Sequence, residues 1–208
     1  MAPGPLDCLN PDKFTMKRQV EGQTERKDEP YDNAPAEVIK TALRLMFGFF
    51  ETREAKEAMA QLILKIDSHR EGDRLFPRVY GYPEPIVKIR ENVGDFLAKM
   101  RSKLPVICID ETMPARRSGG AKLGIRYKDD QCYDPTKQII YINAELVNTA
   151  VMTKDHTDPP KYQSYQLELS TALFHEIGGR LFGASVYRGD MPMAEFVPPT
   201  TPVWDRNI

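Results

Sequence analysis

Leu169-Ser-Thr-Ala-Leu-Phe-His-Glu-Ile-Gly-Gly-Arg-Leu-Phe182 is the stretch on which the fold turns. At about 100° per residue, Leu169, Leu173, Phe174, Ile177 and Leu181 share one face of a helix. Glu168, Ala172, His175 and Gly179 share the opposite face. The first face belongs in a core. The second sets small residues beside groups that exchange protons, so it meets water or floors a cleft. Two adjacent glycines, Gly178 and Gly179, cost a helix roughly 2 kcal/mol against alanine. Either the helix stops there on a glycine cap, or the missing side chains leave room beside His175.

Upstream of this helix, expected over 163–182, lies a polar loop at 150–162 ending in Pro159-Pro160. Before the loop, Gln138-Ile-Ile-Tyr-Ile142 is β-branched and aromatic, a strand expected over 138–143. Two shorter strands are expected at 105–109 and 122–127. Further upstream the apolar spacing becomes helical, predicting helices near 34–50, 54–68 and 85–102. Asn33 and Pro35 mark the start of the first. Residues 1–33 hold few large apolar side chains and read as a flexible N-terminal arm. Residues 34–208 read as one domain whose tail, 189–208, is rich in proline and extended. The layout is α+β: a helical N-terminal half packed on a small sheet, with a helix after the last strand.

Leu-Phe-His175-Glu176-Ile-Gly resembles the opening of the metal-binding helix of zincin metallopeptidases, HExxH, in its HEIGH version. The resemblance implies a zincin-like scaffold, a strand before the helix at the edge of a substrate cleft, and hydrolase chemistry. In that family two histidines four apart hold zinc, and the glutamate polarises the bound water. The motif here is degenerate, because the second histidine falls on Gly179. No cofactor is therefore expected. If zinc were held, His175 and Glu195 would hold it, with His156 as a further candidate.

The expected function is then an enzyme on a zincin-like scaffold that has lost its ordinary zinc site. His175 and Glu176 would act as acid and base or orient a substrate, imidazole being suited to proton transfer near neutral pH. Gly179 and Ala172 would give the substrate room, with Tyr141, Asn143 and Glu145 forming the other wall. One alternative is an inactive pseudo-peptidase that holds a peptide against strand 138–142. A second is a metallopeptidase with unusual zinc ligands.

Composition narrows the partners. The 208 residues carry 29 Lys plus Arg against 30 Asp plus Glu, a formal charge of −1. That balance gives no reason to expect nucleic acid or an anionic membrane, and leaves a small molecule or peptide as ligand. No apolar run approaches the ~20 residues of a membrane span. Three scattered cysteines, Cys8, Cys108 and Cys132, suit a soluble chain in a reducing, cytoplasmic setting.

Overall fold

The computed structural model describes residues 6–10, 13–68, 86–114, 119–122, 134–155, 158–182 and 185. Asn33 opens α1 (Ala34–Phe50), its Oδ1 accepting the Ala36 N–H at 2.9 Å. Pro35 sits in the first turn, where a helix has no use for an N–H. Ile39, Leu43, Met46 and Phe50 form the buried stripe of α1. Helices α2 (Arg53–Ser68) and α3 (Ile86–Ser102) pack on each other, and α3 buries Ile89, Val93, Phe96, Leu97 and Met100.

Five strands make one mixed sheet: β1 (Met16–Gln19), β2 (Lys27–Asp28), β3 (Val106–Asp110), β4 (Gly119–Lys122) and β5 (Ile139–Asn143). Their order is β2-β1-β3-β5-β4. β1, β3 and β5 run parallel, and β2 and β4 pair antiparallel at the two edges. The register aligns Met16, Ile107 and Ile140 on one face, with Ile109 and Ile142 two residues on. All five enter the core. Lys17, Cys108 and Tyr141 align on the opposite face. Helices α4 (Ala144–Asp155) and α5 (Pro159–Phe174) pack on the sheet, and α1 packs on both. The fold is α+β with a small sheet. No helix among the described residues is long and apolar enough to cross a membrane.

Three expectations change. Residues 1–33 are not a loose arm where they are described. Cys8, Leu9, Phe14 and Met16 are buried, and β1 lies inside the sheet between β2 and β3. The polar composition of Met16-Lys-Arg-Gln19 hides this strand, because the acids that meet its charges lie outside it in the chain. Arg18 donates to Glu29 at 2.7 Å and 3.2 Å, and Asn33 donates to the same carboxylate at 2.6 Å. The loop expected over 150–162 is mostly helix. Pro159 and Pro160 occupy the first turn of α5 behind the N-cap Asp158, so they begin a helix rather than close a loop. A strand is seen at 119–122, starting earlier than the expected 122–127; residues 123–127 and the 189–208 tail lie outside the described residues.

Two outcomes test this packing. Burial pushes the Glu29 carboxyl up, but the hydrogen bonds from Arg18 and Asn33 outweigh it and hold the group below its ordinary 4.5. A lowered carboxyl stabilises the fold fully above the unfolded value, and the contribution fades as pH falls through the folded value. Glu29→Gln is expected to cost about 1–3 kcal/mol near pH 7. The gap should shrink below pH 4.5 in urea titrations, and a pH-independent gap would refute the assignment. Gln166 on α5 is buried, and among the described residues neither its Nε2 nor its Oε1 has a hydrogen-bond partner. Gln166→Met should therefore raise stability, by about 1 kcal/mol, since it removes a desolvated amide and keeps the volume. A lower urea midpoint would mean that the amide is satisfied.

Candidate functional site

The glycine pair does not end the helix. From His175 to Leu181 the chain continues as a wide π-helical turn, in which the Phe182 N–H reaches back to the Ile177 carbonyl. Such a turn takes up one residue more than an α turn and resets the helix face by about 100°. In unbroken α-helix Phe182 would point away from Leu173, nine residues earlier. With the extra residue absorbed, Leu181 and Phe182 are both fully buried, and Phe182 packs on Phe96 at 5.1 Å between centroids.

The face left open by α5 and this turn borders a cavity of about 640 Å³. Glu168, Ala172 and His175 line it, as the helical spacing implied, and Glu176 joins them. Ser164, Leu167 and Thr171 extend the lining along the same helix. The far wall includes Gly119 of β4. A Cβ on Gly119 would sit 3.4 Å from the Ala172 Cβ, so small residues on both elements let the edge strand lie close to the helix.

His175 and Glu176 are neighbours with unequal surroundings. The His175 side chain is 47% exposed and that of Glu176 only 4%. His175 Nδ1 lies 3.3 Å from Glu176 Oε1. A proton on Nδ1 makes it the donor to the carboxylate and leaves Nε2 with the lone pair. A half-exposed imidazole that meets a buried carboxylate can take up and release a proton at the cavity while its partner stays shielded from water.

The wall expected from 141–145 is elsewhere. Strand alternation sends Tyr141 to the opposite face of the sheet, where Arg26 donates to its hydroxyl at 2.6 Å. Asn143 caps α4: its Oδ1 accepts the Glu145 N–H at 2.8 Å, and its Nδ2 donates to the Pro114 carbonyl at 3.1 Å. Glu145 is exposed in the first turn of α4. Gly179 is half-buried and is not among the described residues that line the cavity. Nor does β5 have a free edge for a peptide, being flanked by β3 and β4. Among the described strands the edges are β2 and β4, and β4 is the one beside the cavity. Gly119 and Gly120 could have signalled this, since paired glycines in a strand mark close backbone approach. Cys108 is buried, and burial pushes its thiol up to about 11, which makes it a poor nucleophile.

Of the zinc donors expected from the sequence, only His175 lies among the described residues. Among the described residues no three His, Cys, Asp or Glu side chains come together in a metal-holding group. Position 179 offers no imidazole, and His156 and Glu195 lie outside the described residues. Compared with protein-family models, with curated proteins and with solved structures, the chain matches none.

Dialysed protein is expected to bind zinc only weakly. Gly179→His should tighten it, by placing a second imidazole one turn from His175. Chelator competition with zinc measures this, with the melting temperature as a control for folding. No gain in a folded variant would show that the resemblance to the metal-binding helix is accidental.

Proposed function

We propose that the chain is an enzyme of hydrolase type on a zincin-like scaffold, with His175 as the proton-transferring group and Glu176 as the carboxylate that orients it. One observation carries the proposal: a half-exposed imidazole, 3.3 Å from a buried carboxylate, lines a cavity large enough for a small ligand or peptide segment. In this scheme Glu176 favours the tautomer protonated at Nδ1. His175 Nε2 then acts as base toward a water or hydroxyl of the substrate, and returns the proton to the leaving group. The imidazolium formed in between is stabilised by the adjacent carboxylate, which needs no proton of its own. Every step in this scheme uses groups of this chain.

A second reading is a peptide-binding module without turnover. The position of β4 favours it. This strand is the last of the described strands on its side of the sheet, and its Gly119 borders the cavity, so an extended peptide lying in the cavity would run beside it.

The test is turnover of a pool of internally quenched peptides, followed by binding of the same peptides. Wild-type protein should cleave. His175→Ala should remove at least ~10²-fold of the rate, the usual worth of a positioned acid or base. Its stability should change by less than ~0.5 kcal/mol, because the ring is half exposed. Glu176→Gln keeps the shape and should cost rate as well. Binding without cleavage would favour the second reading. Cleavage that persists in both variants would refute the first.

A further inference from the structure

We infer that Gly178 and Phe50 are positioning residues for the His175–Glu176 pair, with the Phe50 ring acting as the mould for the wide turn that carries the pair. What this means for chemistry rests on the acid–base reading above; the geometry itself does not.

A π turn packs its own backbone less well than an α turn and persists where its surroundings favour it. The surroundings here are specific. The Phe50 ring is fully buried and stacks on Phe174 at 4.7 Å between centroids and 23° between planes. The same ring lies against the bare backbone of Gly178. A Cβ built there would meet Phe50 Cε1 at 2.7 Å and Cζ at 3.0 Å, with Met59 Sδ at 3.8 Å. One ring from α1 therefore touches the chain just before His175 and again just after Ile177. His175 and Glu176 lie between the two contacts.

The far end of the turn is fixed as well. Leu181 and Phe182 are fully buried, and Phe182 packs on Phe96 of α3. Those two side chains cannot turn outward without exposing large apolar surface. Any slip toward α-helical register is therefore taken up between Phe174 and Gly178. In unbroken α-helix Gly178 would turn away from the α1 side by about one residue step, and the His175–Glu176 contact would move with it. A side chain at 178 pushes on the ring from one side, and a smaller residue at 50 withdraws the support.

The imidazole reports on this directly. The chain has three histidines, so the His175 ring signal is assigned in an NMR spectrum by its loss in His175→Ala. The inference predicts that Gly178→Ala shifts the His175 signal. Phe50→Leu removes the atoms that the new methyl would strike, and should shift the signal by itself. The two effects should not add: once Phe50→Leu is in place, Gly178→Ala should move His175 little further. Where cleavage is seen, Gly178→Ala should lower it about 10- to 100-fold, as for a misplaced catalytic group.

A lower melting temperature with an unmoved His175 signal would mean that the contact is only structural, and overturns the inference. So would independent, additive shifts. If Gly178→Ala does not fold, Phe50→Leu still decides, because an unmoved His175 signal there overturns the inference. These readouts do not depend on turnover. Moved signals in a protein that never cleaves would uphold the positioning and sink the acid–base reading. Unmoved signals beside a rate lost in His175→Ala would do the reverse.

Discussion

The close approach of the Phe50 ring to the backbone at Gly178 is the constraint on which the rest depends. Helix α1 packs along α5, and Ser170 Oγ donates to the Ala42 carbonyl at 3.1 Å on the same interface. Further along, the ring of Phe50 needs the space that a Cβ at 178 would fill. Glycine's usual cost in a helix is offset here by the contact it permits, since a buried aromatic ring contributes far more than ~1 kcal/mol. The same contact falls where the helix takes up an extra residue. Core packing and the geometry of the open face are thus set by one pair of residues.

How legible the fold is in the sequence depends on side-chain size. Helix α1 and strand β5 stand out because Ile39, Leu43, Met46 and Phe50, or Ile140 and Ile142, are large and regularly spaced. Helix α4 does not, because the residues it buries, among them Ala144, Val147 and Ala150, are small and interleaved with Asn148 and Thr149. Strand β1 is harder still. Only Met16 of its four residues is fully buried, and the place of Lys17 and Arg18 is explained by Asp28, Glu29 and Glu111, which come from other parts of the chain. Local pattern cannot show such long-range compensation.

The site was partly legible for a related reason. The open face of the helix follows from 3.6-residue spacing up to His175, so Glu168, Ala172, His175 and the adjacent Glu176 come together at the cavity. Past His175 the period changes, and Gly179 leaves the lining. Phe182 carried the one available signal. It is a large apolar residue on the wrong side of an unbroken α-helix, and a buried residue out of phase implies an inserted one. The opposite wall needed a different kind of knowledge. Which side of β5 bears the cavity depends on strand order, and the register places Tyr141 with Arg26 on the far face.

The same packing bears on the sequence after His175-Glu176-Ile177. Position 179 holds glycine, so no second imidazole follows His175 four residues on. Position 178 is bare for a reason of its own, since a Cβ there would meet the Phe50 ring at 2.7 Å. What the described residues present is a shielded carboxylate at Glu176 with an accessible imidazole beside it, an arrangement that needs only the first turn. Packing that leaves no room for a side chain at 178 and packing that holds the stretch carrying the imidazole–carboxylate contact are, on this account, the same packing.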